Sequence, residues 1–244
     1  MHINQYSLSI RFSSDGFSLS IFDEFNSFLS TKKISALLNS LSEEEIVQLI
    51  LQEPETQVTY SKVRLICESD LYVFVPVLVF RQENARDLLC FQHKLEKKDF
   101  VMFNKLPKWE VVNVFSIPIV LHTALSGLYP DTLIEHQVSH FLTDYITLQG
   151  ENSIQVWVGA KSMDVIVLKN GNVILINSYN YQTPEDFTYY TLSLFEQLSL
   201  DPETCKVRLF NVEKNNQLQN HLQKYVKHCE TAGNSPLNSS KGEF

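Results

Sequence analysis

Leu8, Ile10 and Phe12 alternate with Ser7, Ser9 and Arg11, and the same alternation returns in the second half as Ile154, Val156 and Val158. A period of two with one apolar face is the pattern of a half-buried strand. Each run opens a series of three. Ser13-Ser14-Asp15-Gly16 turns the chain into Phe17, Leu19 and Ile21, and Asp23-Glu24 turns it again into a strand over residues 25–34. In the second half Gly159-Ala160-Lys161-Ser162 leads to a strand over residues 163–168. Asn170-Gly171, a dipeptide suited to a two-residue hairpin, leads to a third over residues 173–179. A chain that opens both halves with a meander is constrained to build two sheets.

A helix follows each meander. Ser42 is placed to cap the Glu45 amide while Glu45 reaches back, and Leu41 can pack on Ile46, which predicts a helix ending before Pro54. Thr183-Pro184-Glu185-Asp186 supplies a cap, a first-turn proline and acidic residues for a helix reaching about residue 198. Beyond the helices, Lys62-Val63-Arg64-Leu65 recurs as Lys206-Val207-Arg208-Leu209, at almost the separation of the two meanders. Both tetrapeptides are expected on strands beside the first strand of their half. Val63 and Leu65 should share one face there, as should Val207 and Leu209, with Arg64 and Arg208 on the other. Strand, strand, strand, helix, strand, helix thus occurs twice, which implies an internal duplication.

Residues 70–117 have no counterpart in the second half and read as an insertion. It holds a short strand at 71–75, a helix around 84–95, and a hairpin pairing 100–105 with 110–116 across Leu106-Pro107-Lys108. A helix at 118–128, a strand near 132–136 and a helix to about 148 complete the first half. Gln149-Gly150-Glu151-Asn152 is the interdomain punctuation. The expected domains are 1–149, carrying the insertion, and 150–230, with a disordered tail over 231–244. The last helix is read from Asn215 to about His228, and no fifth strand is evident after it.

Composition excludes several classes. At 244 residues and 44% apolar the chain can bury a sizeable core, and its net charge of -8 opposes binding to a phosphate backbone or an anionic membrane. The start, Met1 to Tyr6, has neither a basic nor an apolar stretch, so no signal peptide is expected. The longest apolar run, Leu71 to Phe80, is interrupted by Pro76 and is about half of what a spanning helix needs. Four cysteines, Cys67, Cys90, Cys205 and Cys229, form no close pairs, which points to reduced thiols and a cytoplasmic location. His136, His140 and Asp144 have helical spacing, but no further ligand completes a zinc set, and structural histidines are the expectation.

Three antiparallel strands followed by helix-strand units is the order of a ribonuclease H-like lobe, and two such lobes resemble the actin-like ATPase fold of actin, Hsp70 and sugar kinases. The whole chain, from about residue 7 to 229, resembles a Bacteroidetes family of unknown function with that fold. Val112-Asn113-Val114-Phe115-Ser116-Ile117-Pro118, the helix end Leu128-Tyr129-Pro130 and the two meanders carry the resemblance. It implies an α/β protein of two ribonuclease H-like lobes, and it implies where a nucleotide site would lie. In ATPases of this fold each first hairpin binds phosphate through glycine-opened backbone, and an Asp ending the first strand holds magnesium through water. The corresponding residues are Ser13, Ser14, Asp15 and Gly16, and Gly159, Ala160, Lys161 and Ser162.

Gly159 matches a family glycine, but Asp15 lies in the turn and Trp157 stands where the metal-organising Asp belongs. The Gly-Gly turn that lies under adenine is absent, and Gly233 stands alone. No catalytic residue, metal site or cofactor is therefore expected. The expected function is a non-catalytic scaffold or partner-binding module with degenerate phosphate loops and a protein partner. The alternative is a divergent ATP-binding protein or ATPase using ATP and magnesium in the cleft between the lobes. Phe100, Phe103 and Trp109 interleave with Lys105 and Lys108 in the insertion, and these five are the candidate partner surface.

Overall fold

The structure is a computed structural model. It describes residues 5–144, 152–159, 161–212 and 216–231. The punctuation at 149–151, Ala160 and the tail from residue 232 lie outside these. The backbone divides into two compact units that part at residues 145–146.

In the first unit, β1 (Ser7–Ser13), β2 (Gly16–Phe22) and β3 (Phe28–Ser35) form the meander, followed by α1 (Glu43–Leu51) and β4 (Lys62–Cys67). After an inserted subdomain, α3 (Ile119–Leu128), β8 (Ile134–His136) and α4 (Gln137–Asp144) complete the unit. The sheet order is β3-β2-β1-β4-β8, with β1 antiparallel to β2 and parallel to β4. Alternation sets this register: Leu8 lies opposite Ile21 and Val63, and Ile10 opposite Leu19 and Leu65. Leu8, Ile10, Phe12, Leu19 and Leu65 are all buried, as are Ile46 and Ile50 of α1, which packs against α3. Each such side chain contributes about 1.5–3 kcal/mol by leaving water.

The second unit repeats the order with β9 (Ser153–Val158), β10 (Ser162–Lys169), β11 (Asn172–Asn180), α5 (Pro184–Gln197), β12 (Lys206–Phe210), α6 (Gln217–Leu222) and β13 (His228–Thr231). Its sheet runs β11-β10-β9-β12-β13. Val207 pairs with Ile154 and Leu209 with Val156, so the two tetrapeptides take corresponding places beside β1 and β9. Both helices after the meanders begin with a reciprocal cap. Ser42 N donates to Glu45 Oε2 at 2.8 Å and Glu45 N to Ser42 Oγ at 3.3 Å. Thr183 N donates to Asp186 Oδ2 at 3.0 Å and Asp186 N to Thr183 Oγ1 at 3.1 Å. Asn170 and Gly171 both adopt positive φ, +53° and +78°, as their hairpin requires.

Three expectations need correction. A fifth strand does exist: α6 ends at Leu222, Val226 N turns back to Leu222 O at 3.0 Å, and β13 pairs parallel to β12. Its four residues bury only Cys229, so no alternation marks them in the sequence. The insertion's helix, α2, spans only Ala85–Cys90, and the last helix, α6, spans only Gln217–Leu222 instead of reaching His228, whereas the strand ending at His136 and the start of the helix after it, α4, lie where expected.

The insertion, β5 (Tyr72–Pro76), α2, β6 (Asp99–Leu106) and β7 (Val111–Pro118), forms an antiparallel sheet of order β5-β7-β6. It has its own small core of Val75, Ala85, Leu89, Val112 and Val114. Its hairpin closes through Pro107–Trp109 and a left-handed Glu110 at φ +53°.

Gly16 marks the point of least tolerance in the first sheet. Its φ is +138°, and a Cβ there would stand 2.0 Å from the Ile34 carbonyl oxygen of β3. Gly16→Ala is expected to cost at least about 2 kcal/mol, because both the backbone and β3 must shift. Urea unfolding of the two proteins measures this directly; equal midpoints would contradict it.

Candidate functional site

The ends of the two first strands are where the fold would place phosphate. At the first, Ser14 and Asp15 form the whole turn between β1 and β2. Ser13 Oγ donates to Asp15 Oδ1 at 2.5 Å, and Ala36 N donates to Asp15 O at 3.1 Å. The carboxylate and the carbonyl of Asp15 thus both hold the hairpin, and Gly16 is required by the approach of β3. No carboxylate lies on β1. Arg11 projects from it instead, donating to Gln137 Oε1 at 2.5 Å and standing 5.3 Å from the Phe141 ring centre.

At the second, Gly159 N donates to Ser162 O at 2.8 Å and closes the turn. Tyr181 Oη donates to Gly159 O at 2.7 Å, Asn211 Nδ2 to Val158 O at 2.8 Å, and Tyr181 N to Lys161 O at 3.0 Å. Trp157 is buried and lies flat on Phe210, with ring centres 3.8 Å apart and planes at 4°. Parallel pairing of β9 with β12 sets these two rings side by side. Ala160 lies outside the described residues.

His136, His140 and Asp144 do not converge. The His136 ring packs beside Tyr72 and Phe115, at 4.8 and 5.0 Å between centres. Its Nδ1 accepts from Val138 N at 3.2 Å, so Nε2 carries the proton and donates to Ser69 O at 2.9 Å. Burial drives its pKa down to about 4. His140 and Asp144 belong to a different cluster, which the sequence reading missed. There the Arg64 guanidinium pairs with Asp144, and its Nε stands 3.6 Å from Glu135 Oε2. His140 Nδ1 lies 3.4 Å from Asp144 Oδ2 and 3.4 Å from Arg64 Nη1. Burial, then the charges of Arg11, Arg64 and Lys62, hold His140 well below its usual pKa. Burial also raises Glu135. Arg64 was visible only as a polar residue, like Lys62, on the face of its strand opposite Val63 and Leu65. Among the described residues, no three His, Cys, Asp or Glu side chains are arranged to hold a metal ion.

The insertion bounds a cavity of about 240 Å³ against β8 and α4. Lys105, Lys108 and Trp109 line one side, and Glu135, Ser139 and Thr143 the other. Trp109 Nε1 donates to Leu142 O at 3.2 Å, and Lys108 Nζ stands 5.2 Å from the indole centre. The structure thus brings three of the five candidate partner residues together. Phe100 and Phe103 point to opposite sides of β6: Phe100 stacks on His122 of α3 at 3.7 Å, and Phe103 packs on Phe80 at 5.0 Å beside the insertion's core.

Two sheets of order 3-2-1-4-5, each covered by the helices that follow its meander, define the actin-like ATPase fold of two ribonuclease H-like lobes. A crystal structure from Bacteroides thetaiotaomicron, described as a protein with actin-like ATPase fold and unknown function, is similar over 94% of this chain and 91% of its own. Its TM-score is 0.78 and its identity 26%. Residues 1–229 match the family described as "Protein of unknown function (DUF3822)", and the chain belongs to that family. The PilM-PilN type IV pilus biogenesis complex shares the fold at 12% identity, covering 93% of this chain and 88% of that one, with a TM-score of 0.55. The ethanolamine utilization protein EutJ from Carboxydothermus hydrogenoformans does so at 9% identity, with 95% and 86% coverage and a TM-score of 0.51. No curated protein matches the chain.

His136 predicts a pH dependence. Unfolded, it titrates near its ordinary 6.5, and folded near 4, so between these values the unfolded chain binds more protons and stability falls as pH falls. From pH 7 to pH 5 the loss attributable to His136 is about 2 kcal/mol. His136→Gln should be less stable at pH 7 and should show a flatter profile over that range in urea titrations. Parallel profiles would contradict the assignment.

Proposed function

We propose that the chain is a non-catalytic actin-fold protein that binds a protein partner, its phosphate loops serving only to close hairpins. The observation that carries this is Trp157, stacked on Phe210 at the end of β9, where ATPases of this fold keep the Asp that organises magnesium. An indole offers a metal or its waters no acceptor. On β1 the projecting group is a guanidinium, which repels a divalent cation. The hairpin bonds of Asp15 and Gly159 occupy groups a phosphate site would need. Losing one metal-orienting group costs about 10–100-fold in affinity or activity, and several are lost together here. In this reading the two lobes arose by duplication, and neither ATP nor magnesium is a cofactor.

A protein partner is supported by the net charge of -8, which opposes nucleic acid. No helix of the described residues is long and apolar enough to cross a membrane. PilM, which shares the fold, is described in complex with PilN, so the fold itself accommodates such a role. The reduced cysteines suit the cytoplasm, with Cys67, Cys205 and Cys229 buried and their thiols pushed up by burial. The partner-facing surface is the mouth of the cavity at Lys105, Lys108 and Trp109.

Millimolar Mg-ATP should leave the melting temperature unchanged. A ligand at 100 times its dissociation constant adds about 2.7 kcal/mol, which would raise the melting temperature by several degrees, and such a rise would overturn the reading. The partner surface has its own test. Lys105→Glu with Lys108→Glu should abolish recovery of the partner by cross-linking in the native host. Both residues are exposed, so stability should change by no more than about 0.5 kcal/mol per site. Undiminished recovery would place the partner elsewhere.

A further inference from the structure

Two features of the first unit have complementary chemistry and lie at opposite edges of its sheet. The first is the turn between β2 and β3, Asp23-Glu24-Phe25-Asn26-Ser27, where Phe25 is 80% exposed and Glu24 is exposed beside it. Its own hydrogen bonds hold the turn in shape. Asp23 Oδ1 accepts from Phe25 N at 2.9 Å and from Ser27 N at 2.7 Å, Asp23 N donates to Ser27 O at 3.0 Å, and Asn26 takes a left-handed φ of +61°. Phe22 and Phe28 meet edge to face at its base, and Phe25 projects beyond them as an acidic-aromatic knob. The second feature is the cavity of about 240 Å³ at the tip of the insertion. Pro107 and Trp109 line it together with Leu133, which is 63% exposed, and Lys105 and Lys108 are exposed at its mouth. Among the described residues these two lysines and a single carboxylate, Glu135, line the cavity, and Glu135 also faces Arg64 Nε at 3.6 Å. The balance of charge at the mouth is therefore positive.

We propose that the cavity seats Phe25 of a second copy of the chain, with Glu24 of that copy against Lys105 and Lys108. This rests on the reading of the cavity mouth as a protein-binding surface and names the protein. Size fits a ring: a cavity of about 150 Å³ accommodates benzene and drug-sized ligands need about 300 Å³ or more, so 240 Å³ is the space of one aromatic side chain. A flat lipid surface cannot enter such a cavity. A free aromatic molecule filling it would leave Leu133 and the two ammonium groups uncovered, whereas the turn that carries Phe25 brings Glu24 over them. An aromatic anchor in a pocket with a polar rim is the arrangement that concentrates binding energy in a few residues. The other exposed aromatics of the described residues lack this chemistry. Phe91 is followed by His93 and Lys94, Tyr225 stands between Lys224 and Lys227, and Tyr189 lies on α5 with the Tyr190 ring 5.6 Å away. A chain cannot fill its own cavity, because β3 and β8 are four strand spacings apart, about 19 Å. The contact is thus heterologous, one surface of each copy meeting a different surface of the next.

Sedimentation velocity of the full chain from 1 to 100 µM tests this, and the expected mass rises with concentration above that of one chain. Phe25→Ala removes the knob, and Lys105→Glu with Lys108→Glu reverses the charge of the mouth. Each variant should stay monomeric, with the melting temperature recorded to show that both fold. Mixed in equal amounts, the two should form a species of twice the chain's mass and nothing larger, because one supplies only a cavity and the other only a knob. Tryptophan emission of the wild type supplies a reading without substitution. Trp157 is already buried, so a blue shift on raising the concentration reports the covering of Trp109. A wild-type chain that stays monomeric at 100 µM would overturn the proposal. If Lys105→Glu with Lys108→Glu then still abolishes recovery of a different protein in the native host, the protein-binding reading stands with another occupant. Assembly that survives Phe25→Ala, a mixture that stays monomeric, or emission that ignores concentration would also overturn the proposal.

Discussion

The parallel pairing of β4 with β1, and of β12 with β9, is the constraint on which the rest of each unit depends. It puts the first strand at the centre of its sheet, between an antiparallel neighbour from the meander and a parallel one from beyond the helix. Because side chains alternate, a slip of one residue would turn Leu8, Ile10 and Phe12 toward the other face together. The parallel neighbour requires a crossover, and the helix providing it covers the face where these residues are buried.

The opposite face shows how the same frame is put to different uses. Arg64 and Arg208 occupy matching positions in β4 and β12, pointing away from the core. In the first unit α4 lies over this face, and Arg64 is drawn into a part-buried network with Asp144, Glu135 and His140. Removing one member of such a network leaves charge without compensation, which makes it a strong determinant of how α4 sits. Arg208 pairs with Glu230 at 2.7 Å, the two side chains 35% and 58% exposed, and that pair contributes little. Trp157 and Phe210 on the same face replace charge with stacked rings.

Much of this frame was legible in the sequence because its signals are local and repeated. Alternation located both meanders, Asn170-Gly171 fixed a hairpin, the reciprocal cap of Ser42 and Glu45 located α1, and the cap, first-turn proline and acidic residues from Thr183 located α5. The parallel places of the two tetrapeptides followed from their spacing alone. What was not legible depends on contacts between distant segments. β13 is too short to show a period, and its existence rests on docking beside β12. His136 has the spacing of a helical ligand, yet its ring belongs to the packing between Tyr72 and Phe115, which no local pattern announces. The five candidate residues of the insertion read as one basic-aromatic surface, but alternation along β6 sends Phe100 and Phe103 to opposite sides. Only the turn residues Lys108 and Trp109, with Lys105, reach the cavity.

Strand ends that seal hairpins, and an insertion that builds a cavity against α4, are set on an actin-like frame. The claim beneath this account is that β1 with β4 and β9 with β12 are the stable centres of their units. Native-state hydrogen exchange, resolved by residue, measures that directly. The slowest amides should lie in Leu8–Phe12 and Val63–Cys67, and in Ile154–Val158 and Val207–Leu209, with the edge strands β3, β8 and β13 opening at lower free energy. Central strands that exchange as fast as those edges would contradict the account.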